Sequence, residues 1–210
     1  MNSALKNQLR QHLRERRRQI TPSQQHLAAQ QLMQRIITLS AYRRARHIAA
    51  YMASDGEISP EYVLRHASLK SKRSYLPRIH FGGKANKHMS FQRYHPRQKL
   101  RSNRYGIGEP AGLRYRARPP ELLDIVLLPL AGFDKEGRRL GMGGGFYDRC
   151  FAFKNQHSRQ KPLLIGIAHH CQEVSALPAD DWDIGLDLIV TDRAVITPRH
   201  GRGKNRIPRA

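Results

Sequence analysis

The segment Arg139-Leu-Gly-Met-Gly-Gly-Gly-Phe-Tyr-Asp-Arg149 constrains this chain more than any other. Four of the five positions from Gly141 to Gly145 are glycine. Such a run lets the backbone approach an anion closely and turns several N–H donors outward. An apolar run, Ile125 to Leu130, precedes it, and a stretch with helical character, Phe146 to Phe153, follows. The order is therefore strand, glycine loop, helix. A helix start just after the glycines adds a positive dipole end. Arg138 and Arg139 bring charge from one side. Tyr147 and Asp148 stand at the helix entrance, where a ring can stack and a carboxylate can hold a metal. Composition alone also allows a plain surface loop, but the strand, arginines and helix around it favour phosphate binding.

The segment matches no common nucleotide motif. There is no GxxxxGK[ST], and GxGxxG fails because position 146 is Phe. The remaining fold signals are segments of strand length. Asp124 to Leu130, Leu163 to Ala168 and Leu186 to Thr191 are apolar runs, His47 to Met52 reads as a short buried strand, and Lys72 to Leu76 and His88 to Phe91 are further strand candidates. Helical patterns fall among them. Ser3 is placed to cap a first helix with Leu5, Leu9 and Leu13 at four-residue steps. Thr21-Pro22 opens a second, with Leu32, Ile36 and Leu39 inward. Asp55-Gly56 makes a turn, and Ser59-Pro60 starts a helix towards His66. Strands alternating with helices predict an α/β fold, a largely parallel sheet in a single domain. Residues 95–120, rich in Arg, Gly and Pro, predict a long irregular connection of the kind that covers sites.

Charge is the second constraint. Lys and Arg number 38 against 16 Asp and Glu, a formal charge of +22 in 210 residues. Such an excess attracts polyanions, so non-specific polyanion binding is expected. Five of these cations lie in residues 199–210 among Gly and Pro. That basic tail lacks apolar periodicity and is expected to be disordered, leaving residues 1–198 as the domain. Lys6, Arg10, Arg14 and Arg17 form a stripe along the first helix. Its bland reading is a solvated basic face; its sharper one is a set of cations aimed at phosphates. Cys150 and Cys171 form neither CxxC nor a zinc pattern and read as thiols of a reducing compartment. No apolar run reaches transmembrane length and no secretory h-region opens the chain, so no membrane partner and a cytoplasmic location are expected. The eleven histidines have no ligand spacing: the adjacent pair His169-His170 would point to opposite sides of an extended chain. No nucleophile elbow supports Ser/His/Asp catalysis.

The run Leu128-Pro-Leu-Ala-Gly-Phe-Asp-Lys-Glu-Gly-Arg-Arg-Leu-Gly-Met-Gly-Gly-Gly-Phe-Tyr-Asp-Arg149 resembles the signature of the 5-formyltetrahydrofolate cyclo-ligase family. Lys6-Asn7-Gln8-Leu9-Arg10, Tyr51-Met-Ala-Ser-Asp-Gly-Glu57 and Asp183-Ile-Gly-Leu-Asp187 fall in that family's order, and the resemblance spans roughly residues 3–197. It implies a Rossmann-like three-layer α/β/α sandwich. It also implies an ATP-dependent ligase that phosphorylates the formyl oxygen of 5-formyltetrahydrofolate and closes the ring to 5,10-methenyltetrahydrofolate. Such chemistry needs positioning and charge neutralisation more than an acid–base pair. By this resemblance, Lys6 to Arg10 and the loop Arg139, Leu140, Gly141, Met142, Gly143, Gly144, Gly145, Phe146 and Tyr147 hold ATP. Arg139 and Tyr147 act in catalysis, Met52, Glu57 and Tyr147 meet the folate, and Asp148 and Asp183 hold Mg²⁺. Asp180, Asp181 and Asp187 lie close enough to Asp183 to leave that last choice open from spacing alone. Phe146 stands where many relatives carry Tyr, which removes a hydroxyl. Met142 and Gly144 stand where some carry a basic residue. A monomer is expected, acting on a small-molecule folate that can carry a polyglutamate tail.

A second reading, from the charge, is a basic nucleic-acid-binding module. Its one plausible stacking strand places Phe91 and Tyr94 beside Arg93.

Overall fold

The computed structural model describes residues 2–82, 86–111, 117–155, 161–178, 180 and 182–198. The basic tail at 199–210 lies outside the described residues. The centre is a seven-stranded sheet with order β11-β10-β9-β6-β1-β2-β3. Its members are β1 (His47–Ala49), β2 (Arg73–Gly82), β3 (Asn86–Tyr94), β6 (Ile125–Pro129), β9 (Leu163–Ala168), β10 (Leu188–Thr191) and β11 (Val195–Ile196). Five strands run parallel, and β3 and β11 close the two edges antiparallel. Two small hairpins stand apart, β4 (Leu100–Ser102) with β5 (Gly108–Pro110), and β7 (Gly132–Phe133) with β8 (Arg139–Leu140). The central strands read as nearly unbroken apolar runs because both faces are buried.

Alternation along the strands sorts the core into two layers. Ile48, Ile125, Leu127, Ile165 and Ile167 pack with Leu32 and Ile36 of α2 (Pro22–Thr38), Tyr42 of α3 (Ser40–Arg44), and Val63 and Leu64 of α4 (Glu61–Leu69). On the other face Val126, Leu128, Leu164 and Ile189 meet Phe133 and Phe151. That second layer is thin: α5 (Phe146–Cys150), a 3-10 turn at Ala152–Asn155 and irregular chain cover it. The helical stretch expected to reach Phe153 therefore stops early. A third cluster of Leu13, Ala131, Leu140 and Leu177 docks α1 (Asn2–Arg18).

Capping explains where α2 begins. Thr21 Oγ1 accepts from the Gln24 N–H at 3.3 Å, and the Gln24 side chain accepts from the Thr21 N–H at 2.9 Å. This reciprocal box, with Pro22 in the first turn, satisfies two otherwise orphaned donors. Ser3 does not cap α1, because the helix already includes Asn2. Leu13 is fully buried, whereas Leu5 is 48% exposed, so the apolar stripe holds only for its C-terminal part. Phe91 and Tyr94 are buried in the two layers, so β3 offers no aromatic platform for bases.

From β1 the chain moves outward through β2, and from β6 it moves the other way through β9 and β10. The strand order thus reverses between neighbouring β1 and β6. In open α/β sheets such a reversal leaves a crevice beyond the carboxyl ends of the strands, where ligands bind.

Candidate active site

Three loops meet at that crevice: the turn after β1, the glycine loop that follows β6–β8, and the segment between β9 and β10. Helix α1 lies across all three.

The first loop turns at Asp55 and Gly56, with φ of 50° and 77°. Both are left-handed, a conformation that Gly and Asp tolerate better than most residues. The Glu57 N–H donates to Ser54 O at 2.9 Å, and the Ser54 N–H donates to Glu57 Oε2 at 3.0 Å. The carboxylate is thereby folded back over its own turn. Burial pushes its pKa up, and the Ser54 N–H and the Arg17 charge only partly oppose this. Tyr51 and Tyr147 sense the Glu57 charge, so the first loop faces the glycine-loop side of the crevice rather than solvent. Met52 is half-buried and packs against the α2–α4 layer, which gives it a core role.

In the glycine loop Gly143 and Gly145 have φ of 91° and 60°. Gly145 caps α5, which is only five residues long. Few aligned peptides make a weak dipole, so attraction for an anion rests on side chains and loop N–H groups more than the sequence suggested. Arg10 Nε donates to Gly141 O at 2.8 Å and pins the loop to α1. Arg10 also donates to Asn7 Oδ1 at 2.6 Å. Arg149 donates to Gly144 O at 2.9 Å and covers the Phe146 ring. Leu140 is buried with Leu13, and Leu9 packs on the same cluster, so both serve docking. Met142 is exposed. Gln8 is exposed on the side of α1 turned away from the site, since it sits two residues, about 200°, from Lys6.

The paired arginines separate. Arg138 turns back to the fully buried Asp134 at 2.6 Å and stabilises the β7–β8 turn. Arg139 alone reaches the crevice, where its guanidinium pairs with Asp148. Burial draws the Arg139 pKa down, against the pull of Asp148 and Asp183. Its Nη1 is buried without a hydrogen-bond partner. Tyr147 lies against Phe151, rings 6.4 Å apart, and burial raises its hydroxyl well above the ordinary value, so it stays a proton donor.

The third loop supplies acids. Lys6 Nζ donates to Asp180 Oδ2 at 2.7 Å and Asp183 Oδ2 at 2.9 Å. Burial disfavours the Lys6 charge, but these two carboxylates outweigh it and its pKa is raised. The Ile184 N–H points at Asp148 Oδ1 at 3.3 Å, which brings the third loop against α5. Lys6 is 7% exposed and Arg17 fully buried, so the basic stripe is an inward face and not a solvated one.

Cations and anions of the site thus neutralise one another, Lys6 with Asp180 and Asp183, Arg139 with Asp148. A magnesium–nucleotide pair offers the same charges in exchange. Asp148 and Asp183 each use one oxygen in the bonds above, and hard carboxylate oxygens suit a hydrated Mg²⁺. The unpartnered Arg139 Nη1 suits a phosphate oxygen. The donor set therefore fits both groups, although among the described residues no three acids, histidines or cysteines already cluster as a metal site. Sequence reasoning missed Asp55, which gathers three arginines, and the part of Asp180. An acid between a turn glycine and a strand end was the available signal for Asp55.

A sequence model of the 5-formyltetrahydrofolate cyclo-ligase family matches residues 2–192. The 5-formyltetrahydrofolate cyclo-ligase of Haemophilus influenzae is 39% identical over 193 residues, covering 90% of this chain and 100% of that protein. The enzyme of the same name from Escherichia coli K12 is 39% identical over 183 residues, covering 87% and 98%. The NMR structure of Aquifex aeolicus 5,10-methenyltetrahydrofolate synthetase superposes with a TM-score of 0.76 at 29% identity, covering 97% of each chain. The 5,10-methenyltetrahydrofolate synthetase of Mycoplasma pneumoniae gives 0.68 at 26%, covering 89% and 98%.

Proposed function

The chain belongs to the 5-formyltetrahydrofolate cyclo-ligase family, and from that premise we propose how its residues divide the conversion of 5-formyltetrahydrofolate to 5,10-methenyltetrahydrofolate. ATP is the co-substrate. Its phosphates lie along the glycine loop, where Lys6, Arg10 and Arg139 neutralise their charge. Glu57 accepts N–H groups of the pterin across the crevice, with the formyl group directed towards Tyr147. The formyl oxygen attacks the γ-phosphorus, ADP leaves, and the formyl carbon becomes a good electrophile. N10 then attacks that carbon and loses its proton, and phosphate departs with the former formyl oxygen. Arg139 stabilises charge on the transferred group, and the Tyr147 hydroxyl donates a hydrogen bond beside it. Asp148 and Asp183 would hold Mg²⁺, which when bound would screen phosphate charge. No general base within the chain is needed for the first step, so orientation supplies most of the acceleration.

The observation that carries this reading is the meeting of Lys6, Arg10 and Arg139 with Glu57 and Tyr147 at one sheet reversal. The enzyme acts as a monomer in the cytoplasm, on folate with or without a polyglutamate tail. No helix among the described residues is long and apolar enough to cross a membrane. The test is the absorbance of the methenyl product from purified protein. Product should form only with 5-formyltetrahydrofolate, ATP and a divalent cation together. Folded protein that gives no more product than buffer, across several divalent ions, would overturn the reading.

A further inference from the structure

Lys6, Arg10, Arg14 and Arg17 are spaced so that all four fall within about 80° of one face of a helix. The structure divides them between two duties. Lys6 and Arg10 reach the acid loop and the glycine loop. Arg14 and Arg17 reach the turn that carries Glu57, and Arg18 joins them there.

All three of these arginines converge on one carboxylate. Asp55 accepts from Arg14 Nε at 2.7 Å, Arg17 Nη2 at 2.9 Å and Arg18 Nε at 2.5 Å. Arg17 Nε also donates to the Asp55 backbone oxygen at 2.8 Å. From α2, Gln25 Nε2 donates to Gly56 O at 3.0 Å. The turn is therefore held from two helices at side chain and backbone.

Stability alone does not account for this arrangement. Three guanidiniums around a single acid repel one another, and Arg17 is fully buried with Nη1 unpartnered. Burying a charge is costly unless every donor is answered. What the arrangement does achieve is geometric. Asp55 sits in the left-handed region two residues before Glu57, so fixing its carboxylate and its carbonyl fixes where the Glu57 chain leaves the turn. The same helix, about 16 Å further towards its N-terminus at Lys6, sets the nucleotide loops.

We propose that Asp55, clamped by Arg14, Arg17 and Arg18, is a positioning residue that sets Glu57 for the folate and, through α1, couples folate binding to nucleotide binding. The inference rests on the proposed assignment of Glu57 to folate and of Lys6 and Arg10 to ATP. Whichever ligand binds first fixes the placement of α1, and the second finds its own half-site already arranged. The coupling is reciprocal: nucleotide tightens folate by the factor that folate tightens nucleotide.

The experiment compares the wild type with Asp55→Asn, Asp55→Ala and Arg17→Lys. Steady-state kinetics give KM for each substrate. Calorimetry gives folate affinity with and without a non-hydrolysable ATP analogue, and melting temperature controls for folding. Asp55→Asn, which keeps shape and loses charge, should raise the KM for folate about tenfold, while calorimetric affinity for the ATP analogue in the absence of folate moves less than about twofold. The nucleotide's effect on folate affinity should fall towards one. Arg17→Lys, which keeps charge and loses the two-pronged contact, should lie between. If both KM values rise together in proportion to lost thermal stability, the clamp is structural only and the inference fails. It fails equally if folate KM and coupling stay at wild-type values in the variants. Failure of the functional reading looks different, since the wild type itself would then give no methenyl product.

Discussion

Glu57 is the residue whose chemistry depends most on where the fold puts it. Burial raises its pKa, so protonation sets in at higher pH than for a free glutamate. A carboxyl group that accepts N–H bonds at both oxygens must be ionised, and that form is lost as pH falls through the raised value. The acid limb of kcat/KM for folate should therefore lie above the ordinary carboxylate range of about 4.3 and vanish in Glu57→Gln. That variant should also raise the folate KM by about tenfold or more while ATP binding stays nearly intact. A pH profile of both proteins checks this; an acid limb that survives in Glu57→Gln would assign it to another group. Asp55 does not interfere. Burial would raise its pKa, but the bonds from Arg14 and Arg18 and nearby charge hold it below the usual aspartate value. Its contribution to stability is complete above the unfolded value and fades only as pH falls through the lower folded one. The acid limb expected of Glu57 thus falls where the clamp is intact.

At the scale of elements, the glycine loop and α1 work as a pair. Arg10 holds the loop at Gly141, and Gly143 turns the chain beneath the Arg10 guanidinium with φ of 91°. A Cβ at Gly143 meets only the arginine, 3.8 Å away, so space is no obstacle. The conformation is the obstacle, at a cost of about 1–2 kcal/mol for an L residue in a left-handed conformation. Gly143→Ala should therefore flatten or shift the loop. We expect the KM for ATP to rise about tenfold with the folate KM nearly unchanged, and the melting temperature to fall by no more than about 8 °C, the share of that strain the loop does not relax. An unchanged ATP KM would place the phosphates elsewhere. The strand–loop–helix order here was readable because glycine density and flanking apolar runs are local signals. The length of α5 was not: its five residues end where Phe151 turns into the core against Phe91 and Tyr147, a tertiary contact.

Across the whole molecule, charge is unevenly used. The inward stripe of α1 is answered by acids, and at the opposite end of the sheet Asp124 answers Lys161 and Asp187 answers Lys154. Burial and the nearby Arg118, Arg73 and Arg93 depress the pKa of His47 there despite Asp124. With five more cations in residues 199–210, the chain should adsorb to nucleic acid without sequence preference. Deleting residues 199–210 should leave turnover within about twofold and lower retention on nucleic acid at low salt, an effect that fades as counterion release weakens. Filter binding at two salt concentrations, beside the cyclo-ligase assay, is the comparison. Truncated protein that stays folded but loses turnover would move the tail into the active site.

Some of this molecule was determined by residues near one another in the chain. The apolar runs at 125–130, 163–168 and 186–191 became β6, β9 and β10, since a strand buried on both faces must be apolar throughout. Thr21-Pro22 opened α2 because a cap needs only its own first turn. The spacing of Lys6 and Arg10 could mark one helix face but not whether that face looked inward. Only tertiary structure decided that, by docking Leu13 against Ala131 and Leu140 and so bringing Lys6 to Asp183, 177 positions away in the chain. The same holds for Arg138 and Arg139, neighbours in sequence that a two-residue strand sends to opposite duties. Charges and dihedrals are written residue by residue, but a partner's position depends on the path of everything between.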